Sequence, residues 1–287
     1  MKKKLAALAL AALGTAAAQA ACLDDAQVAA MVAAYGAKQP AANPLALSDE
    51  DGRCTRAKFN AALQQAGRKP VGYKAGLTNP AVQKRFGTDH PVWGVLYDGM
   101  LLQSGAKVPA AFGARPLFEA DMLVRVSSTA INQAATPAEV LEAIDRIVPF
   151  IELPDLVVAE PGKLNGAGVE AINVGARLGV MGEPIPVPRY RAERHALLDA
   201  LQRMEVTLTD AGGARLGGGK GSDLMEQPLN AVLWLTGALA REGRALQVGD
   251  WVSLGSFSAL LPPKAGLAVT LQFHGLPGAQ PVQVSFE

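Results

Sequence analysis

Histidine and cysteine are scarce in this 287-residue sequence, and neither sign of charge dominates it. The three histidines, His90, His195 and His274, show no metal-ligand spacing. We interpret His195 and His274 as surface or sheet residues and keep His90 as a candidate pocket residue. With 27 basic and 26 acidic residues, and no run of Lys or Arg after residue 4, the chain has no electrostatic basis for binding nucleic acid or a polybasic membrane patch.

A long hydrophobic run is also missing, because the apolar stretch 5–13 is shorter than the roughly 20 residues of a membrane span. Residues 1–4 are basic and residues 18–20 are small-x-small, which together predict a cleavable signal peptide over 1–20. We therefore expect a periplasmic or secreted mature protein, 21–287, with no membrane association after cleavage. The alternatives are an N-terminal anchor and a lipoprotein linked through Cys22, although Gln19 stands where a lipobox has Leu.

The only cysteines are Cys22 and Cys54. Export to an oxidising compartment makes a disulfide between them a reasonable hypothesis, and such a bond would tie the mature N-terminus to the body of the protein. Two unpaired thiols are the alternative, since the sequence does not give the distance between their Cα atoms.

Hydrophobic spacing predicts an α+β domain with a largely antiparallel or mixed sheet. No linker interrupts residues 21–287, so we expect one domain with a helical N-terminal part, 21–68, and a β-rich core, 69–287. Helices are predicted over 24–37, 48–67, 136–147 and 228–241. Strands are predicted over 69–78, 117–126, 148–153, 173–178, 250–254, 268–274 and 282–286, with a loop over 161–168. A hairpin is predicted from 204–209 and the segment that follows the turn 210–213.

Glu119 and Asp121 are two residues apart in a predicted strand and therefore point to the same face. Adjacent carboxylates repel each other unless a cation or solvent separates them, and oxygen ligands of this kind suit Mg²⁺ or Mn²⁺. The alternative is a solvated strand face. Glu152 lies in an otherwise apolar strand, where an unpaired carboxylate would be costly to bury, so it is a candidate third ligand, with Asp155 as a competitor.

Lys74 lies between Gly72 and Gly76 among apolar residues. Glycine inside a strand often marks close approach of a backbone or a ligand. Apolar surroundings can lower the pKa of a lysine and allow it to act as an acid or base. A surface lysine is the alternative.

These segments, in this order, resemble the fumarylacetoacetate hydrolase superfamily, specifically its 2-keto-4-pentenoate hydratase and 4-oxalocrotonate decarboxylase branch. The resemblance covers nearly the whole mature chain and rests on 72–78, 82–87, 94–97 with Met100, 119–121, 151–155, Asn173, 228–235 and 255–258. The sequence departs from the usual pattern of the branch at Asp121, which replaces a Glu, and in the segments 154–157 and 173–175.

The resemblance implies a mixed β-roll or barrel core with flanking helices, and a homo-oligomer. It implies that Glu119, Asp121 and Glu152 hold the divalent metal, Mg²⁺ or Mn²⁺, and that Lys74 is the catalytic acid/base. It further implies that Leu77, Asp89, Asn173 and Ser256 contact a small 2-oxo or 2-hydroxy carboxylate.

The reaction that the resemblance implies is addition of water to a 2-hydroxy-2,4-dienoate or its 2-oxo tautomer, such as 2-keto-4-pentenoate. The metal would bind the substrate carboxylate and 2-oxygen and stabilise the enolate, while Lys74 moves the proton. Decarboxylation or C–C hydrolysis could use the same enolate. An exported relative that binds a small carboxylate without turnover is the alternative from a different functional class.

Overall fold

The computed structural model describes residues 22–44 and 47–287. The predicted signal peptide, 1–20, lies outside the described residues. Within the described part of the chain, no helix is both long enough and apolar enough to cross a bilayer.

Two helices precede the first strand, α1 (Asp25–Ala37) and α2 (Asp49–Gln65). Each begins with a capping box, made by Asp24 and Gln27 in α1 and by Ser48 and Asp51 in α2, which satisfies backbone N–H groups at the helix start. The later helices are α3 (Pro80–Arg85), α4 (Pro137–Glu142), α5 (Gly166–Ala171), α6 (Arg191–Arg203) and α7 (Asn230–Arg241).

A disulfide joins Cys22 to Cys54, with the two Cα atoms 5.7 Å apart. It links the segment in front of α1 to the N-terminal half of α2. Of the two alternatives left by the sequence, the structure therefore has the bonded one.

The strands form two sheets. Their bounds are β1 (Pro70–Gly76), β2 (Val92–Tyr97), β3 (Leu101–Gln103), β4 (Ala106–Val108), β5 (Glu119–Val126), β6 (Ile144–Leu153), β7 (Leu178–Met181), β8 (Ile185–Pro186), β9 (Glu205–Asp210), β10 (Arg215–Lys220), β11 (Trp251–Ser253), β12 (Ala268–His274) and β13 (Val282–Phe286). The larger sheet has the order β2-β1-β11-β5-β6-β7-β3, with β8 on β6, and the smaller has the order β10-β9-β12-β13-β4.

The larger sheet is mixed, because β1–β11 and β3–β7 are parallel and its other pairs are antiparallel. Helices lie before and between the strands, so the predicted α+β class with a mixed sheet is confirmed. Strands β5 and β6 are buried over most of their length. Polar side chains on this pair are therefore removed from bulk water unless a cavity reaches them.

Three predicted segments were wrong. The helix expected to reach residue 147 ends at Glu142, because the β-branched residues from Ile144 onward pair with β5 instead. The loop expected over 161–168 contains a 3₁₀ turn and the start of α5, whose first turn is capped by the Asn165 side chain. The strand expected over 173–178 begins as a left-handed turn, with positive φ at Asn173, Val174 and Gly175.

Candidate active site

Three carboxylates meet on neighbouring strands of the larger sheet. Glu119 of β5 is directly opposite Glu152 of β6, and Asp121 is two residues further along β5. Their exposures are 7%, 3% and 0%, respectively. This burial excludes the solvated strand face that the sequence had left as an alternative.

Asp121 is held by hydrogen bonds from three directions. The Ser253 hydroxyl donates to its Oδ2 at 2.5 Å, and the backbone N–H groups of Met122 and Gly255 donate to its Oδ1 at 2.5 and 3.0 Å. Ser253 can do this because β11 lies between β1 and β5 in the sheet. The orientation of the Asp121 carboxylate is thus fixed by the strand that separates it from Lys74.

Lys74 is buried beside the carboxylates, which excludes the alternative of a surface lysine. Its Nζ forms an ion pair with Glu152 Oε1 and donates a hydrogen bond to the carbonyl of Val174 at 2.8 Å. The second oxygen of Glu152, Oε2, is buried without a hydrogen-bond partner among the described residues. One ammonium group and one unused carboxylate oxygen therefore lie side by side.

The cluster contains three carboxyl groups and one lysine side chain. Burial raises the pKa of Glu119 well above its usual range, and the nearby charge of Glu152 raises it further, while Lys74 opposes the change. The pKa of Asp121 is raised for the same two reasons, and its hydrogen bond from Ser253 opposes the change. A second cation would relieve this repulsion.

The residues fit a hard divalent cation in donor type and number. Three carboxylates supply only oxygen ligands, and Glu152 Oε2 has no other partner. No group of three His, Cys, Asp or Glu side chains within 22–44 and 47–287 already converges as a metal site. In this structure Lys74 is paired with one oxygen of Glu152, and Ser253 donates to one oxygen of Asp121.

A cavity opens onto Lys74 and Glu119. Its polar wall also includes Thr78, Asn79 and Ser256. The rest is mostly apolar and is formed by Ala75, Gly76, Leu77, Val82, Phe86, Pro154, Leu156, Val169, Val174, Gly255 and Leu260. A small, largely apolar pocket with a few charged groups at one end is typical of a site for a small molecule.

Two of the four predicted substrate-binding residues, Leu77 and Ser256, line this cavity. Leu77 has a left-handed backbone with φ of +56°, which is uncommon for a non-glycine residue. Such conformations cluster at active sites and ligand-binding segments. Asp89 is outside the cavity, on an exposed loop where it pairs with His90.

Asn173 is also outside the cavity, although it is buried. Its Oδ1 accepts hydrogen bonds from Val95 N at 2.7 Å and Asn60 Nδ2 at 2.9 Å, and its Nδ2 donates to Val95 O at 2.9 Å. These bonds hold the left-handed turn that places the Val174 carbonyl against Lys74. Asn173 thus acts in this structure as a support for the turn beside Lys74.

Asp155, the competing candidate for the third ligand, has a structural role. Its carboxylate accepts hydrogen bonds from the backbone N–H groups of Ala114 and Arg115 at 3.0 and 2.7 Å.

Sequence reasoning missed Ser253, although a signal was present. Ser253 is a polar residue in the short apolar segment of β11, and the same kind of signal had identified Glu152.

The remaining histidines lie elsewhere. His195 is exposed on α6, and His274 is an exposed sheet residue beside Thr207. His90 lies on the loop before β2, close to Asp49 and Asp89, and does not line the cavity of Lys74.

Comparison with solved structures identifies the fold. The chain is similar to 4-oxalocrotonate decarboxylase from Pseudomonas putida G7, a structure complexed with magnesium and adipate, with a TM-score of 0.78 at 22% identity over 93% of this chain and 100% of that chain. It is also similar to a fumarylacetoacetate hydrolase family protein from Yersinia pestis CO92, with a TM-score of 0.52 at 18% identity over 76% of this chain and 94% of that chain. The fold is that of the fumarylacetoacetate hydrolase superfamily.

Sequence comparison identifies the family within this fold. No protein-family model matches the chain. It is 30% identical to 2-keto-4-pentenoate hydratase 2 of Dechloromonas aromatica over 239 residues, which are 83% of this chain and 87% of that protein. The protein belongs to the 2-keto-4-pentenoate hydratase family.

Proposed function

We propose that the protein is a metal-dependent hydro-lyase that adds water to a 2-hydroxy-2,4-dienoate, such as the enol form of 2-keto-4-pentenoate. The observation that carries the proposal is the buried cluster of Lys74 with Glu119, Asp121 and Glu152 at the end of a small cavity. A binding protein without turnover would have little use for a buried lysine held between a carboxylate and a carbonyl.

Glu119, Asp121 and Glu152 are the residues that would hold the divalent ion, Mg²⁺ or Mn²⁺. When bound, such an ion stabilises the negative charge that develops on the 2-oxygen of a 2-oxo acid. Magnesium in the structurally similar decarboxylase supports a divalent ion. The raised pKa values of Glu119 and Asp121 are consistent with a site that needs additional positive charge.

Lys74 would move the proton between its Nζ and the substrate carbon during ketonisation. Its Nζ is held by Glu152 and by the Val174 carbonyl, so it is oriented before the substrate enters. The apolar wall excludes bulk water from this step, which strengthens the electrostatic interactions inside the cavity. Water would then add at the distal end of the conjugated system.

The apolar lining favours a substrate with one carboxylate. Lys74 is the only cationic side chain among the described residues of the cavity wall, and it is already paired with Glu152. A second carboxylate at the far end of the substrate would be buried there without a partner, which is costly. This supports a monocarboxylic dienoate over the dicarboxylic substrate of a 4-oxalocrotonate decarboxylase.

We further propose that the protein acts in the periplasm or is secreted. The signal-like pattern of residues 1–20 and the disulfide that follows it support export to an oxidising compartment. We expect mass spectrometry of the intact protein from the periplasm or the medium to give the mass of residues 21–287. A mass that includes residues 1–20 would contradict the proposal.

The homo-oligomer implied by the family stays a prediction.

The test of the proposed activity is an ultraviolet assay of the mature protein with 2-hydroxypenta-2,4-dienoate, with Mg²⁺, with Mn²⁺ and with chelator. We expect metal-dependent loss of dienoate absorbance, and a loss of about a hundredfold or more in rate in Glu119→Ala, since a charged group at the reaction centre is removed. Glu205→Ala, which changes an exposed carboxylate at the start of β9, is the matched control and should keep the rate of the unchanged protein.

Product analysis separates the reactions. Hydration yields a 4-hydroxy-2-oxo acid without gas release, whereas decarboxylation of a dicarboxylic substrate releases CO₂. Absence of turnover with either metal, in protein shown to be folded, would contradict the hydratase proposal and favour a binding role.

A further inference from the structure

Thr78 is a polar residue of the cavity wall to which the proposed mechanism gives no role. It lies two residues after the end of β1, is 2% exposed and lines the cavity together with Lys74, Glu119 and Ser256. Its Oγ1 is buried and has no hydrogen-bond partner among the described residues. In the described part of the chain, Thr78 Oγ1 and Glu152 Oε2 are the two buried side-chain oxygens without a hydrogen-bond partner.

An unpartnered buried hydroxyl is unfavourable, because the group loses its hydrogen bonds to water and gains none in return. A valine at this position would have nearly the same shape without that loss. The presence of threonine is therefore explained by a partner that arrives from outside the protein.

The chain opposite Thr78 is built to leave room for its side chain. A Cβ atom at Gly255 would overlap the Thr78 hydroxyl, and Gly255 has a φ of +105°, which favours glycine. The same Gly255 donates its N–H to Asp121, and Ser256 follows it on the cavity wall. The hydroxyl of Thr78 thus lies beside the loop that orients one of the carboxylates.

We propose that Thr78 binds substrate, with its hydroxyl donating a hydrogen bond to an anionic oxygen of the 2-oxo carboxylate group. The inference rests on the proposed function and adds a residue to it. The polar side chains of the cavity wall are those of Lys74, Thr78, Asn79, Glu119 and Ser256. The Thr78 hydroxyl lies against Gly255, which binds Asp121 and precedes Ser256, so the charged end of a 2-oxo acid belongs beside Thr78.

The test compares Thr78→Val and Thr78→Ser with the unchanged mature protein. The probe is 2-oxopentanoate, a saturated 2-oxo acid that cannot be hydrated, titrated calorimetrically in the presence of Mg²⁺. We expect the Kd to rise by about ten- to a hundredfold in Thr78→Val, as for loss of a hydrogen bond to a charged group, and Thr78→Ser to stay close to the unchanged protein.

The melting temperature of each variant shows whether it folds. Thr78→Val should melt at the same temperature as the unchanged protein or higher, because an unsatisfied hydroxyl is removed. Thr236→Val is the matched control: Thr236 is a buried threonine of α7, its hydroxyl donates to Leu233 O at 2.9 Å, and its loss should leave the Kd unchanged.

Equal Kd values for Thr78→Val and the unchanged protein would overturn the proposal and indicate that a retained water satisfies the hydroxyl. If the unchanged protein does not bind 2-oxopentanoate at all, both this inference and the 2-oxo acid site are overturned. Binding without turnover of the dienoate would overturn only the hydratase proposal.

Discussion

Lys74 and Glu152 show how tightly single residues of the site depend on each other. Their side chains are each only 4% exposed, and the ion pair between them is surrounded by protein. Removing one partner of a buried pair leaves the other charge without compensation, which is more destabilising than removing both.

This dependence gives a prediction for metal-free protein. Lys74→Met should lower the free energy of unfolding by about 3–5 kcal/mol, and Lys74→Met with Glu152→Gln should recover part of that loss. Dienoate turnover should fall by about a hundredfold or more in both proteins, since the proton carrier is missing from each. Urea unfolding and the ultraviolet assay measure the two effects.

Lys107→Met is the control, because Lys107 is 74% exposed and its distance to Glu287 is 3.7 Å. Such a surface pair contributes about 0–1 kcal/mol. A Lys74→Met protein as stable as this control would show that the buried pair contributes nothing.

At the scale of single residues, the sequence was informative where a charged side chain lies among apolar neighbours. Charged residues in apolar strands identified Lys74 and Glu152, and spacing aligned Glu119 with Asp121. Asn173 could not be interpreted in this way, because its role depends on a left-handed turn and on Val95 from a distant strand. Long-range hydrogen bonds of this kind leave no periodic pattern.

At the scale of secondary structure, a second buried charge cluster joins three helices to the sheet. Arg56 of α2 pairs with Glu170 of α5 and with Glu242, which follows α7. The Arg56 guanidinium carbon also lies 3.4 Å from the centroid of the Trp93 ring on β2. These contacts pack the helical N-terminal part against the core.

Glu170 makes this packing sensitive to pH. Burial raises its pKa to about 7, with Arg56 opposing the shift and Glu242 adding to it. The folded protein therefore holds the proton of Glu170 more tightly than the unfolded chain, whose carboxyl has the ordinary value of 4.5. The contribution to stability is full below that value and is lost as the pH rises to about 7.

We expect the melting temperature of metal-free protein to fall over this pH range, and Glu170→Gln to show a flatter profile, since glutamine does not titrate. Glu205→Gln, at an exposed position, should keep the slope of the unchanged protein. Identical slopes for all three proteins would refute the assignment to Glu170. Scanning calorimetry at a series of pH values provides the measurement.

Secondary structure followed from the sequence where side-chain periodicity is strong and failed where tertiary contacts override it. The last two strands, β12 and β13, were predicted with their observed bounds. The start of β6 was mistaken for a helix because the capping box before it is real, while the pairing of β6 with β5 cannot be read from local sequence. Helix α6 was not predicted.

At the scale of the whole molecule, the disulfide constrains the chain between Cys22 and Cys54, 32 residues apart in sequence. Cross-linking a loop of this length restricts the unfolded ensemble and contributes about 2–4 kcal/mol. We expect Cys54→Ser to lower the free energy of unfolding by that amount, measured by urea unfolding of the purified proteins under oxidising conditions.

A reductant provides the internal control. It should destabilise the unchanged protein to the level of Cys54→Ser and leave the variant unaffected. A reductant effect of equal size on both proteins would show that the cysteines are not joined.

The position of β11 determines when the site can form during folding. Because β11 lies between β1 and β5, the segment 251–253 must be in place before Lys74 and the carboxylates of β5 become neighbours in one sheet. The ribosome makes that segment after Lys74 and all three carboxylates. A nascent or truncated chain that lacks it carries every proposed catalytic residue and still has no assembled site.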